Sequence, residues 1–203
     1  YRGGLASVRA DHIASHLLNA LLERNSVQAQ SVDDVILGCV TQVGEQSANI
    51  ARTALLGAGW PQDVPGLTID RKCGSGEVAV HVAAGLIAAG SASLVVAGGA
   101  ENMSRVRMGG NRDVHGEPFG WMAEERYELT GQGEAAERLV DKWQLTRSQL
   151  DEFAVLSHER AAHAAQQGFF DNEIIPVPVS QLQEKNWQEE SPELLSYDET
   201  IRA

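Results

Sequence analysis

Cys73 is the residue of this sequence best placed to act as a covalent nucleophile. It lies in the run Ile69-Asp70-Arg71-Lys72-Cys73-Gly74-Ser75-Gly76, between a short β-type segment and a long helix of small residues. A thiolate in this position faces unpaired backbone N–H groups and the positive end of the helix dipole, which favours ionisation of the thiol. Gly74 and Gly76 leave room for a bulky acyl group. The alternative is that Cys73 is a small buried hydrophobic residue.

The second cysteine, Cys39, follows the apolar segment at 35–38, which is predicted to be a buried strand. We therefore expect Cys39 to be an inert residue of the core. The two cysteines form no Cys-x-x-Cys motif and have no zinc-site spacing, so neither a disulfide scaffold nor a metal site is expected. A reducing compartment, the cytoplasm, is the expected location.

The composition is that of an ordinary soluble protein, with 203 residues of which 43% are hydrophobic, enough for a sizeable core in one or two domains. The net charge of −12 argues against binding to a nucleic-acid backbone. Residues 78–100 form an apolar stretch without charged side chains, but glycines and serines interrupt that stretch. We therefore predict a helix, a turn and a strand instead of a membrane span. The first four residues show no signal peptide. Neither nucleic acid nor membrane is expected as a partner.

Hydrophobic periodicity predicts alternating helices and strands in the first half of the chain. Helices are expected over 10–24 and 48–57 and after Cys73, and strands at 35–37, 66–69 and 94–97. This alternation indicates an α/β sheet. After residue 107 the chain becomes turn-rich and then helical, and we place a domain boundary there. A capping box at Thr146 and Gln149 begins a helix that should end near Gly168.

Two signatures together resemble the thiolase family of acyl-CoA C-acyltransferases. These are the block Cys73-Gly74-Ser75-Gly76 and, further on, Ala97-Gly98-Gly99-Ala100-Glu101-Asn102-Met103-Ser104. Other thiolase-like segments follow the family order at residues 34–38, 49–52, 58–61 and 153–176. Each segment alone is frequent by chance, so the assignment depends on their order and spacing. The resemblance covers nearly the whole chain.

The resemblance implies an α/β, thiolase-like layered fold: a mixed sheet with helices on both faces, plus a mainly helical loop domain. Residues 1–107 would form the N-terminal domain that carries the nucleophile, and 108–203 part of the loop domain that covers coenzyme A. The C-terminal half of the family fold would be absent. Acyl-CoA and coenzyme A would be substrates, with no permanently bound cofactor and no metal. A homodimer or homotetramer is expected.

The implied reaction is thiolysis of a 3-oxoacyl-CoA, or the reverse Claisen condensation, through an acyl group on Cys73. Gly74, Ser75 and Gly76 would support the loop or an oxyanion, with the N–H of Cys73 or Gly74 as donor. Glu101 would fix loop geometry. The family takes its acid/base residues from the C-terminal half, so this chain alone should be inactive. No histidine matches a family catalytic position: His12, His16, His81, His115, His158 and His163.

His81 stands eight residues after Cys73 on one helix, about 12 Å along its axis, which is too far for a hydrogen bond. We interpret it as a core or interface residue. The segment at 131–137 replaces a family stretch that often reads His-Met-Gly, so Gln132 is a candidate substrate-binding residue. The same segment fits the dinucleotide-binding pattern Gly-x-Gly-x-x-Ala. That kind of site requires a strand directly before the pattern, and no strand is predicted there.

Two alternatives to a thiolase remain open from the sequence. One is a condensing or lipid-carrier-like member of the same superfamily, which would share the fold but use a different base. The other is a non-catalytic binding or assembly module. Acyl-chain length and the direction of the reaction depend on loops largely outside the chain.

Overall fold

The structure is a computed structural model that describes residues 3–112 and 116–202. These residues pack as two compact units. The first contains residues 3–112 together with 175–197, and the second contains 116–174 together with 198–202. The predicted boundary between residues 107 and 108 separates the N-terminal domain from the loop domain that the resemblance implies, and it stays a prediction. The compact units follow a different division, because residues 175–197 return to the first unit.

The first unit alternates helices and strands as predicted. Its elements are α1 (Ala10–Asn25), β1 (Asp34–Gly38), α2 (Ile50–Gly57), β2 (Gly66–Ile69), α3 (Ser75–Ala88), β3 (Val95–Gly99) and, in the returning segment, α7 (Val179–Leu182). Residues 78–100 form most of α3, a turn and β3, as predicted. None of the helices in the described ranges is both long and apolar enough to cross a membrane.

The three strands form one parallel sheet in the order β2-β1-β3. Gly38, at the end of β1, is in register with Ile69 on one side and Gly99 on the other. The expectation of a mixed sheet is wrong for the strands that the structure describes. Helices α2 and α3 each connect one strand to the next, and such crossovers produce parallel neighbours.

Helices cover both faces of the sheet, as predicted, because the side chains of β1 alternate between the two faces. Val35 and Leu37 pack with residues of α1 and α2 in one cluster. Ile36, fully buried, packs against Ala79 and Ala83 of α3 in another. The central strand is therefore covered on both sides, which explains its nearly continuous run of apolar residues.

Three backbone segments meet closely at the carboxyl end of β1. A Cβ on Gly38 would lie 2.6 Å from the backbone nitrogen of Gly76 and 2.7 Å from Cβ of Ser75. A Cβ on Gly99 would lie 3.1 Å from the carbonyl oxygen of Gly38. The missing side chains thus let the first turn of α3 pack directly on the ends of β1 and β3.

The returning segment 175–197 is held to α1 by two histidines one helical turn apart. His16 Nε2 donates to the carbonyl of Pro176 (2.9 Å), and His12 Nδ1 donates to that of Leu182 (3.2 Å). These ring nitrogens carry hydrogens because a carbonyl oxygen can only accept. A small apolar cluster completes the contact, formed by Val8, Val177, Val179 and Leu195.

The second unit is helical. It contains α4 (Trp121–Glu124), α5 (Gln132–Trp143) and α6 (Arg147–Gln166), and its described residues include no strand. The dinucleotide interpretation of 131–137 therefore fails, since that segment begins α5 without a preceding strand. The predicted capping box is confirmed, with Thr146 and Gln149 bonded reciprocally at the start of α6. Gly168 follows the helix with φ of 70°, as a C-terminal stop requires.

Candidate functional site

Cys73 lies in the loop that joins β2 to α3, at the carboxyl edge of the parallel sheet. The chain moves from β1 to β2 on one side and then crosses to β3 on the other, so the strand order reverses at β1. Open α/β sheets bind ligands outside the carboxyl ends of their strands at such reversals. The Cys73 side chain is exposed, which contradicts the alternative of a buried hydrophobic residue.

The residue before the nucleophile has an unusual backbone conformation. Lys72 has a φ of 50°, in the left-handed region. The side chain of Asp70 accepts a hydrogen bond from the Lys72 backbone N–H (2.8 Å) and also binds its ammonium group. The buried Ser75 hydroxyl donates to the carbonyl of Lys72 (2.6 Å) and accepts from the N–H of Arg71 (2.8 Å). Side chains on both sides of Cys73 therefore hold this loop.

At the start of α3, backbone groups of the loop form hydrogen bonds with one another. Gly74 is its N-cap and contributes no side-chain hydrogen bond. The N–H of Gly74 donates to the carbonyl of Arg71 (3.1 Å), and that of Ser75 donates to the carbonyl of Lys72 (3.0 Å). The backbone N–H of Gly74 is thus bonded within the loop, and it could stabilise an oxyanion only by sharing or breaking that bond. The predicted roles of Gly74 stay predictions.

Glu101 clamps the loop that follows β1. Its carboxylate accepts hydrogen bonds from the backbone N–H groups of Val40 (3.1 Å) and Thr41 (2.9 Å). Because Glu101 follows β3, this clamp ties together the carboxyl ends of two neighbouring strands. The predicted role of Glu101 in fixing loop geometry is confirmed by these two bonds.

Cys39 is the buried thiol of this edge, with 1% of its surface exposed, as predicted. Burial, together with the nearby negative charge of Glu101, raises the pKa of Cys39 to about 11. The thiol is consequently protonated at neutral pH. A protonated, enclosed thiol is a poor nucleophile, so Cys39 is the weaker candidate of the two cysteines.

Two buried amides extend the support beneath this edge. Gln46 donates to the carbonyl of Thr41 (2.8 Å) and accepts from the backbone N–H of Asn102 (2.9 Å). The side chain of Asn102 donates to the carbonyls of Leu5 and Val8, each at 2.8 Å. Sequence reasoning missed Gln46 and the role of Asn102, although the position of Asn102 directly after Glu101 was a usable signal.

An ion-pair cluster lies beside these amides. Arg105 binds both carboxylate oxygens of Glu45, at 2.6 and 2.8 Å, and these hydrogen bonds raise the pKa of Arg105. Arg9 pairs with Asp11 at 2.9 Å and lies 3.8 Å from Glu184. The basic side chain of Arg105 is therefore committed to a structural partner within the first unit.

The remaining predicted residues lie elsewhere. Gln132 is exposed and is the first residue of α5, in the second unit. Of the two alternatives for His81, a core residue is wrong, because its side chain is 68% exposed, 3.7 Å from Glu77 on α3. The interface alternative stays a prediction. His115 lies outside the described residues. Of the other histidines, His158 accepts from the N–H of Arg202, and the ring of His163 packs edge-on against Phe169.

The sequence matches the family model described as "Thiolase, N-terminal domain" over residues 1–203. It is 38% identical over 185 residues to the steroid 3-ketoacyl-CoA thiolase FadA6 of Mycobacterium tuberculosis, covering 86% of this chain and 45% of the relative. It is also 38% identical over 194 residues to the beta-ketoadipyl-CoA thiolase of Pseudomonas aeruginosa, covering 88% of this chain and 48% of the relative.

A solved structure gives the same result. The crystal structure of the Bacillus anthracis acetyl-CoA acetyltransferase is 37% identical in sequence and superposes with a TM-score of 0.79, covering 99% of this chain and 51% of that chain. The chain thus spans about half the length of the relatives that it matches. With an exposed cysteine at the carboxyl edge of a sheet of this topology, and a family match over all its residues, the chain belongs to the thiolase family.

Proposed function

We propose that the protein is an acyl-CoA C-acyltransferase that works through an acyl group on Cys73. One observation carries this proposal: in a chain of the thiolase family, the exposed thiol lies directly before a helix N-terminus at the carboxyl edge of the sheet. The other thiol, Cys39, is buried and protonated at neutral pH. The exposure of Cys73 favours it as the nucleophile, and the burial and protonation of Cys39 disfavour that residue.

In the thiolytic direction, the Cys73 thiolate attacks the 3-oxo carbonyl carbon of the acyl-CoA. The C2–C3 bond breaks, its electron pair passes to C2 as the enolate of acetyl-CoA, and an acid protonates that carbon. The thiol of coenzyme A loses its proton to a base, attacks the acyl-Cys73 thioester and releases the shortened acyl-CoA and the Cys73 thiolate. Claisen condensation is the reverse sequence.

The described residues contribute position and electrostatics to this scheme. The positive end of the α3 dipole lies beside Cys73, where negative charge develops during acyl transfer. Gly74, Ser75 and Gly76 keep the backbone close and free of large side chains beside the sulfur, where the tetrahedral oxyanion develops. We assign the acid and base to the part of the protein beyond this chain, and residues 1–203 alone would then lack turnover.

We assign residues 1–107 to the nucleophile-bearing domain and 108–203 to a partial loop domain that covers coenzyme A, with Gln132 as a contact to substrate. The outer face of α3 supports the presence of further chain, since Val80 and Ile87 are 52% and 46% exposed there. Apolar side chains of this size gain stability when they are covered.

The substrate class that we propose is a 3-oxoacyl-CoA, with free coenzyme A as second substrate and no permanently bound cofactor. The thiolase resemblance supports a homodimer or homotetramer. A cytoplasmic location suits the chemistry, because Cys39 and Cys73 are not joined in a disulfide and an accessible reactive thiol persists in a reducing compartment.

The test is to detect the acyl intermediate. The full-length protein is incubated with acetyl-CoA, quenched, digested and analysed by peptide mass spectrometry. We expect an acetyl group on Cys73, which Cys73→Ala should abolish and the matched control Cys39→Ala should leave in place. An acetyl group on Cys39, or on neither cysteine, would overturn the proposal.

The need for further chain is tested separately. Thiolysis of a 3-oxoacyl-CoA is followed for the full-length protein and for residues 1–203 at equal concentration. Turnover by the shorter chain comparable with that of the full-length protein would contradict the assignment of the acid and base to residues beyond 203.

A further inference from the structure

We infer that Asp70 is a positioning residue, which holds Lys72 in the left-handed conformation and thereby aims the Cys73 thiol out of the loop. The inference rests on the proposed role of Cys73 as the acylated nucleophile. In this role Asp70 makes no contact with substrate. Its action passes through the backbone of the residue that precedes the nucleophile.

Lys72 needs a local cause for its backbone conformation. A side chain with a Cβ disfavours positive φ, because the Cβ approaches the following carbonyl oxygen. Among the described residues, three other non-glycine residues have positive φ, each at a helix end: Ser26 and Gln144 as C-caps and Asn49 as an N-cap. Lys72 caps no helix, so helix termination does not explain it.

The hydrogen bonds of Asp70 supply that cause. One carboxylate oxygen accepts the Lys72 backbone N–H at 2.8 Å, which closes an Asx turn, and the other binds the Lys72 ammonium group. On the far side of the same residue, the carbonyl of Lys72 accepts from the Ser75 hydroxyl at 2.6 Å and the Ser75 N–H at 3.0 Å. Both peptide groups that flank Lys72 are therefore fixed.

The Asp70 carboxylate is ionised at neutral pH and can keep this arrangement there. Partial burial acts to raise its pKa, but the hydrogen bonds and charge of Lys72 outweigh burial and hold the pKa of Asp70 below its ordinary value. Local strain beside a reactive residue persists only where the surroundings impose it. Without the Asx turn, Lys72 would relax to negative φ and rotate the following peptide, which carries Cys73.

Turn geometry and charge can be separated by substitution. Asp70→Asn keeps an oxygen acceptor for the Lys72 N–H but removes the negative charge. Asp70→Ala removes both. Lys72→Gly removes the penalty for positive φ, so it should compensate for the loss of Asp70 only if Asp70 acts through that backbone conformation.

The experiment measures, across a pH series, the rate constants for acetylation of Cys73 by acetyl-CoA and for its alkylation by iodoacetamide in the full-length protein. We expect Asp70→Ala to slow acetylation at least about tenfold, since small misplacements of a reacting group have large kinetic cost. Asp70→Asn should stay within about twofold of wild type, and Asp70→Ala with Lys72→Gly should recover most of the lost rate. Asp63→Ala, which removes an exposed carboxylate of the same unit, is the matched control.

Three results would overturn the inference: a wild-type rate for Asp70→Ala, an Asp70→Asn rate as low as that of Asp70→Ala, or no recovery in the double variant. If Asp70→Ala does not fold, Lys72→Val gives the same test, because a β-branched residue resists positive φ. A wild-type acetylation rate in folded Lys72→Val would then reject the role. Failure of wild-type Cys73 to acetylate at all would instead reject the proposed function, and the alkylation rates would still test the positioning by Asp70.

Discussion

Replacement of Gly38 by alanine should both destabilise the protein and disturb Cys73. The new Cβ would lie 2.6 Å from the backbone of Ser75 and Gly76, where ordinary contacts are 3.4–4 Å. The first turn of α3 would have to retreat by about 0.8 Å to reach ordinary contact, since these neighbours are backbone atoms that cannot rotate away. Overpacking of this kind costs about 3 kcal/mol.

The free energy of unfolding is measured by urea titration of the full-length protein, and the rate of Cys73 acetylation is measured on the folded variant. Gly85→Ala is the matched control, because it lies in the same helix with no atom within 4 Å of the added Cβ. Its helical φ suits alanine, so we expect that control to gain about 0.5–1 kcal/mol and to keep its acetylation rate.

Unchanged stability in Gly38→Ala would refute the close packing of β1 on α3. A destabilised Gly38→Ala variant that acetylates at the wild-type rate would refute the link between that packing and the position of Cys73.

Two further predictions concern charge. The raised pKa of Cys39 means that the folded state binds its proton more tightly than the unfolded chain, so this thiol contributes stability that is fully present below pH 9.0 and lost as pH rises toward about 11. The unfolding free energy of Cys39→Ala should therefore fall less steeply over that range than that of wild type, and equal slopes would contradict the assignment. Glu45→Gln should cost about 2 kcal/mol at neutral pH, because it leaves the largely buried Arg105 without its charged partner. Urea titration should show this loss, and it should shrink in an Arg105→Gln background.

The local features of the first unit could be predicted from the sequence. The apolar run of β1, the small residues of α3 and the capping box at Thr146 each follow from rules that act over a few residues. The placement of Cys73 in the loop before α3 followed from the same rules. The burial of Cys39 could be predicted because it ends a strand that is covered on both faces.

The features that depend on particular side-chain contacts could not be predicted in this way. The left-handed conformation of Lys72 depends on side-chain bonds from Asp70 and Ser75, and no propensity of lysine suggests it. The core alternative for His81 was wrong because the spacing of residues does not reveal which side of an apolar helix faces the sheet. The pairing of Arg105 with Glu45 joins residues 60 positions apart, beyond the reach of any local pattern.

The return of residues 175–197 to the first unit has a consequence for synthesis of the protein. The carbonyl partners of His16 and His12 lie 160 and 170 positions later in the chain. On the ribosome, α1 therefore emerges long before the segment that it binds, because residues 116–174 of the helical second unit are translated between them. Until residues 175–197 are synthesised, the surface of α1 that carries His12 and His16 stays uncovered. We therefore expect chaperones to contact this helix during translation.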